Sequence, residues 1–295
     1  MPDIMCKPGW AGAVQLKLGA SQIDVPVLRA GYQRFDGRQI EMLAQGNAQN
    51  AYPVNSSKTP DSSVLNITAR AFTSWFTAAN LNSLFVTRDT NGATGGCDWK
   101  VNNGIDAAVD SGKGSALRIA CSAGQGPLSV DMSFLGKANG SSATFTAPTA
   151  QAGQPFYHNC ITFAWTPFGA GTSSLSLTLV EDFALTLMTG VQPGKWFDCA
   201  DGMSNIDQGV QSGSLVITQR AGATNRMDAS ASGKLVIGLG APSADAGVIA
   251  TLQLVRLDVG HPIDPMGPGG AKIPSTWALL SETSSNSIVF TAIDA

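Results

Sequence analysis

The sequence predicts an all-β chain with one flanking α-helix, arranged as two tandem β units. Three observations carry that expectation. A short phrase occurs twice: Ser62-Ser63-Val64-Leu65-Asn66-Ile67-Thr68-Ala69-Arg70 and Ser212-Gly213-Ser214-Leu215-Val216-Ile217-Thr218-Gln219-Arg220 share Ser, Leu, Ile, Thr and Arg at matching places. Upstream of each copy lies a segment that alternates apolar and polar residues, Gln15-Leu16-Lys17-Leu18 and Ser176-Leu177-Thr178-Leu179. Alternation is the mark of a strand with one buried face. The composition agrees. Only 13% of the 295 residues are charged and 33 are Gly, the palette of strands and turns rather than of solvated helices.

In chain order, residues 12–29 read as a hairpin: Val14, Leu16 and Leu18 alternate outward, Gly19-Ala20-Ser21-Gln22 turns, and Ile23, Val25 and Val27 alternate back. Residues 30–61 are polar and rich in Asn, Gln, Gly and Pro, and read as a long loop or extended hairpin. The first phrase makes a strand over 63–70. Residues 74–86 are the helix candidate, capped by Thr73 or Ser74, with Phe76, Ala79 or Asn80, and Leu84 near one face. Strands near 97–102, 115–123 and 127–135 close the first unit. In the last, Leu128, Val130, Met132 and Phe134 alternate with Ser129, Asp131 and Ser133. The Ala, Ser, Thr, Gly and Pro of 138–155 read as a linker.

The second unit opens on Cys160-Ile161-Thr162-Phe163-Ala164-Trp165, followed by a hairpin with Glu181-Asp182 at its turn. A shorter polar loop at 190–211 leads to the second phrase. Strands at 234–239 and 248–259, a Pro/Gly-rich stretch at 260–275 and a terminal strand near 287–293 complete the chain. The expected division is thus 1–137, a linker at 138–155, 156–262, and a Pro/Gly-rich segment with a C-terminal strand at 263–295.

Charge and chemistry exclude several classes. The net charge is −3 and the 18 basic residues stand singly, so no cationic cluster exists to hold phosphates tightly. The N-terminus lacks the basic and apolar regions of a secretory signal, and no apolar stretch has membrane-span length. The cysteines (Cys6, Cys97, Cys121, Cys160, Cys199) form no CxxC pair and only two histidines occur, so no zinc site and no cofactor is expected. Pairing of Cys97 with Cys121 and of Cys160 with Cys199 is weighed against free buried thiols, which are preferred. His158 and Cys160 lie too close on one strand to face each other as a nucleophilic pair, and His261 precedes Pro262 in a loop. Gly238-Leu239-Gly240-Ala241-Pro242 is no phosphate loop, because the proline blocks the helix turn that would complete it. An enzyme is therefore not expected.

Taken together, the doubled order of alternating hairpin, polar loop and Ser-Leu-x-Ile-Thr strand resembles the tail tube proteins of long-tailed bacteriophages. It runs 14–27, 30–61 and 62–70 in the first copy and 174–189, 190–211 and 212–220 in the second. The closing run Ser129-Val130-Asp131-Met132-Ser133-Phe134-Leu135-Gly136-Lys137 and the helix at 74–86 fit the same family. The resemblance implies tail-tube-like β-sandwich or barrel domains, joined side by side into rings stacked as a hollow tube that DNA crosses without tight binding. A duplicated chain implies a trimeric, pseudo-six-fold ring. It implies as partners the chain itself and tape-measure, tail-terminator and baseplate proteins, with no membrane. The place implied is the host cytoplasm before assembly and then the virion tail. The lumen candidates are Ser129, Asp131, Ser133, Ser176 and Thr178, small polar or acidic side chains. The loop candidates for contact with the next ring are Arg34, Asp36, Arg38, Gln45, Asn47, Asn50, Lys195, Asp198 and Asp201. The alternatives are a tail-fibre, baseplate or capsid-decoration binding module, a wall-degrading hydrolase, and a transmembrane β-barrel.

Overall fold

The computed structural model describes residues 13–35, 38–43, 52–58, 62–87, 96–102, 107–124, 126–137, 143–148, 153–169, 173–194, 205–241, 244–257, 271–280 and 288–293. Its strands are β1 Ala13–Leu18, β2 Ser21–Val25, β3 Val27–Phe35, β4 Arg38–Leu43, β5 Tyr52–Lys58, β6 Ser62–Arg70, β7 Gly96–Asn102, β8 Ala107–Ser122 and β9 Ser129–Lys137. They continue as β10 Ile161–Pro167, β11 Leu175–Ser176, β12 Val180–Met188, β13 Val191–Gly194, β14 Asn205–Gln208, β15 Ser212–Arg220, β16 Ser232–Ala241, β17 Ala244–Arg256, β18 Lys272–Leu279 and β19 Ile288–Ala292. Fifteen of them join one antiparallel sheet, and β4–β5 and β13–β14 form separate two-stranded hairpins. The all-β expectation is borne out.

Strand order is the same in both halves of the chain. The first half runs β3-β6-β9-β8-β7-β1-β2 and the second β12-β15-β18-β17-β16-β10-β11, with β4–β5 and β13–β14 as corresponding excursions. Register corresponds residue by residue. In β3–β6, Val27 faces Ala69 and Arg29 faces Thr68, leaving Leu28 as a bulge. In β12–β15, Val180 faces Gln219 and Asp182 faces Thr218, leaving Glu181 as a bulge at the matching position. Leu65 faces Phe134 where Leu215 faces Trp277. A bulge raises local twist and re-aims the strand end, so its recurrence gives both halves the same curl.

The inner faces make the core. Leu65, Ile67, Leu117, Ile119, Met132, Phe134, Leu185, Leu215, Ile217 and Trp277 are all at most 2% exposed. They meet a second layer carrying Leu16 and Trp99 in the first half and Trp165 and Leu235 in the second. These last four are swapped in identity: Leu16 faces Trp99 across β1–β7, and Trp165 faces Leu235 across β10–β16. Each of these two pairs therefore offers one indole, which reaches Phe134 at 5.9 Å in one case and Trp277 at 5.1 Å in the other.

Helix α1 spans Ala78–Leu81 and continues as a π turn over Asn82–Val86. It starts later than the expected 74. Trp75 and Phe76 are buried in a preceding turn, and it is the Thr77 side chain that accepts from the Asn80 amide. The Asn82 carboxamide then pairs with strand β19: its Nδ2 donates to the Phe290 carbonyl at 2.6 Å and its Oδ1 accepts from the Phe290 N–H at 3.2 Å. A side chain thus completes the edge of a strand at the far end of the chain.

Other expectations change in detail. The polar stretches at 30–61 and 190–211 contain the β4–β5 and β13–β14 hairpins. The Pro/Gly-rich stretch ends earlier than expected, because β18 begins at Lys272 and carries Pro274 inside it. Among the described residues Pro274 has a ladder partner only in β15, β17 pairing with β18 over Trp277–Leu279, and a missing N–H is tolerated on a side without a ladder partner. Within 138–155, residues 143–148 lie along the first hairpin. Gln15 Nε2 donates to the Thr146 carbonyl at 3.0 Å and Lys17 Nζ to the Thr144 carbonyl at 3.1 Å.

Candidate functional site

The surface that both halves build together is one outer face of the sheet. Strands β3, β6, β9, β8, β12, β15 and β18 are hydrogen-bonded in that order. The joint between the halves is the β8–β12 ladder, Ala116↔Met188 through Ser122↔Asp182. It forms because β8 is long: its first part pairs with β7 and its second part with β12, while β9 runs along its other side.

Alternation puts the same kind of residue across every strand of this face. One row reads Arg29, Thr68, Asp131, Arg118, Thr186, Ser214, Ala278. The row on one side is Gly31, Asn66, Ser133, Ala116, Met188, Ser212. The row on the other is Arg70, Ser129, Ala120, Ala184, Val216, Thr276. Small and hydroxylic side chains dominate, with Met188 and Val216 as exposed apolar residues among them.

Several of its charges are held in contacts. Asp131 Oδ1 accepts from Thr68 Oγ1 at 2.8 Å and its Oδ2 lies 3.1 Å from Arg118 Nη1. Ser133 Oγ donates to Asn66 Oδ1 at 2.7 Å. Around them a shallow cleft of about 330 Å³ is lined by Arg29, Gly31, Asn66, Thr68, Asp131 and Ser133. Arg70 Nη1 donates to the Pro127 carbonyl at 2.6 Å. In the second half Glu181 takes both Arg220 and Lys272, the latter at 2.8 Å. Cations therefore do stand on this face beside the small polar and acidic side chains. They are kept from acting as a bare positive strip by neighbouring carboxylates and carbonyls.

The Lys272 ammonium, and after it the Arg220 guanidinium, hold the Glu181 carboxyl below the usual glutamate range. Its folded value lies under its unfolded one. The triad's contribution is therefore full above the unfolded value, about 4.3, and is lost as pH falls through the folded value. Glu181→Gln is expected to melt earlier than the parent at pH 7, with the gap closing on acidification below about pH 4. Thermal melts at several pH values check this, and a gap that stays constant refutes the assignment.

Of the residues singled out from sequence, Ser129, Asp131 and Ser133 come together on β9 in this face. Ser176 and Thr178 do not join them. Ser176 ends the short β11, paired with β10 at the far edge of the other layer, and its carbonyl accepts from Asn225 Nδ2 at 2.8 Å. The Thr178 carbonyl accepts from Gln219 Nε2 at 3.1 Å. Arg34 is the last residue but one of β3 and Arg38 opens β4. Asp36, Gln45, Asn47, Asn50, Lys195, Asp198 and Asp201 lie outside the described residues. Glu181 and Asp182 are not a turn but the start of β12, Glu181 being the bulge residue. Sequence reasoning missed Arg29, Thr68, Arg118 and the Glu181 triad. Thr68 and Arg118 alternate with buried neighbours, a visible signal, but nothing local marks Asp131 as their partner.

Chemistry of the catalytic kind finds little support. Cys97, Cys121 and Cys160 are free thiols. Burial pushes the Cys97 and Cys121 thiols up, away from reactive thiolate. A cavity of about 80 Å³ at the β8–β12 end is lined by Cys121, His158 and Glu181, and Glu181 is already engaged by two cations. Among the described residues no cluster of His, Cys, Asp and Glu suits a metal ion, and no helix is long and apolar enough to cross a membrane.

Comparison with known proteins agrees with this picture of a structural surface. The family model described as phage tail tube protein matches residues 8–286. A search of curated proteins finds no match.

Proposed function

This chain belongs to the phage tail tube protein family, and on that premise we propose that its copies close side by side into rings whose seven-strand face lines a lumen. Stacked rings then form the tube through which the genome leaves. Each copy supplies two units, residues 1–137 and one from 156 that takes in β18 of the 263–295 segment as the counterpart of β9, joined through 138–155. Six units close a ring, so three copies make one, with pseudo-six-fold symmetry. Closed head-to-tail contacts of this kind arise from heterologous interfaces.

The observation that carries the proposal is the continuity of the face through the β8–β12 ladder. One unit already continues the sheet of the other without a break. The outer edge of β3 supports the next step. β3 corresponds to β12, yet among the described residues its only ladder partner is β6. Its bulge residue Leu28 is 60% exposed where the matching Glu181 is engaged in ion pairs. An exposed edge with an apolar residue is a place where another strand adds.

In this arrangement Ser129, Asp131 and Ser133 face the lumen with Arg118 and Thr186, while Ser176 lies in β11 at the edge of the other layer and Thr178 in the connection from β11 to β12. DNA slides past paired charges and hydroxyls rather than past a cation cluster. Tape-measure, tail-terminator and baseplate proteins are the partners at the lumen and the tube ends. Electron microscopy of the purified protein tests the proposal. Hollow filaments, or rings of three copies by native mass, are expected; a monomer at all concentrations, or solid aggregates, overturns it.

A further inference from the structure

The two self-paired hairpins are corresponding excursions of the chain, but among the described residues only β13–β14 packs against other strands. β13–β14 leaves the β12–β15 pair and lies against β8 and β9 of the first half. Its base is clamped there. The Thr189 N–H donates to the Ser115 carbonyl at 3.0 Å, and Thr189 Oγ1 donates to the Gly114 carbonyl at 2.7 Å. Gln211 Nε2 reaches the Phe85 carbonyl at 3.0 Å. Thr189 is fully buried by this contact. The hairpin therefore grips the unit that lies across the β8–β12 ladder.

β4–β5 leaves the β3–β6 pair at the matching point, with Asp36-Gly37 in sequence where Thr189-Gly190 stand. By that correspondence its seat is the unit that lies across the outer edge of β3. Among the described residues no strand of the same chain lies along that edge. The register gives the location of the seat. Gly112↔Gly136 in β8–β9 corresponds to Leu254↔Leu279 in β17–β18, so Arg256-Leu257 follow in the second half as Gly114-Ser115 do in the first. Leu257 at this position is 56% exposed, although its N–H is tied to the Thr276 carbonyl at 2.9 Å.

We propose that the β4–β5 hairpin seats on the second half of a neighbouring copy of this chain, at the β17–β18 junction around Leu257. It is an in-ring clasp, the intermolecular twin of the β13–β14 contact. This differs from the expectation that the long polar loop reaches a stacked ring. The inference rests on the ring proposed above, and the experiment separates the two.

Two variants of the full chain are compared with the parent by native mass and electron microscopy, after circular dichroism confirms folding. One replaces residues 38–58 with Gly-Asn-Gly; the other is Leu257→Glu, a change at an exposed position. Both are expected to lower the fraction in rings by about tenfold or more, the effect of losing roughly 1.4 kcal/mol of contact, and to leave folded single copies. Discrete rings that no longer stack would assign the hairpin to the contact between rings and overturn the clasp. Unchanged tubes from both variants overturn it too. If the hairpin replacement fails to fold, the Leu257→Glu result decides alone. A parent protein that forms no rings sinks the ring and the clasp together.

Discussion

A single methyl group added at Gly136 is expected to cost the fold about 3 kcal/mol, the upper end of what overpacking does. A Cβ there would lie 2.3 Å from Trp99 Cη2, 2.6 Å from Cζ2 and 2.7 Å from the Ser111 carbonyl oxygen. Neither neighbour has room to retreat. Trp99 is fully buried against Phe134, and Ser111 belongs to the strand that pairs directly with β9. Relief requires the indole to leave its place or β9 to part from β8. The second half shows the alternative solution. There Leu279 stands where Gly136 stands, Leu254 where Gly112 stands, and Leu235 where Trp99 stands. Bulk has moved from one indole to two leucines. Gly136→Ala is thus expected to lower the melting temperature by roughly 5–10 °C, and Gly136→Ala with Trp99→Leu to recover part of it. Gly31→Ala, whose added Cβ meets nothing within 4 Å, is the control and should stay within about 0.5 kcal/mol. Calorimetry on the three variants decides. A Gly136→Ala protein that melts with the parent would show that Trp99 is not packed against the β9 backbone.

That trade explains what the sequence disclosed and what it concealed. The repeated phrase was legible because inner-face residues are chosen by burial alone: Leu65 and Leu215, Ile67 and Ile217 do the same job at the same register. The alternation around Asp131 showed which of its neighbours point outward, because pleating sorts side chains to two faces. Neither signal reports which strand lies alongside. Arg118 meets Asp131 through the register of the neighbouring strands β8 and β9, and β12 meets β8 through a pairing between segments far apart in sequence, so the joint between the halves was invisible. The same blindness made Ser176 and Thr178 look equivalent to Ser129 and Ser133. All alternate with apolar residues, but the short β11 sits at the far edge of the other layer. Bulges were hidden for a different reason. Leu28 and Glu181 break the period by one residue, and in a pattern of two a one-residue insertion reads as a turn. Glu181-Asp182 reads that way.

Asp131→Lys should leave the fold and the proposed tube intact and slow the genome. Stability changes little, because the partners are open to water: Arg118 is 50% and Asp131 37% exposed on their side chains, and an ion pair so placed contributes about 1 kcal/mol or less. The electrostatic consequence is larger. The row that now reads Arg29, Thr68, Asp131, Arg118 becomes three cations with no carboxylate among them. Thr68 loses its acceptor and Arg118 its counter-charge in the same step. On the proposed placement this strip faces the lumen in every copy of every stacked ring, so passing phosphates meet repeated cationic rungs. Phosphate contacts of this kind weaken steeply with salt. Genome release from variant particles is therefore expected to be slower by about tenfold or more at low ionic strength, and to recover as salt is raised. Asp131→Asn, which removes the charge without reversing it, should give an intermediate delay. Release is followed by the fluorescence of a DNA-binding dye outside particles opened by receptor. Equal rates for parent and Asp131→Lys at low salt would place the β9 face away from the path of the DNA.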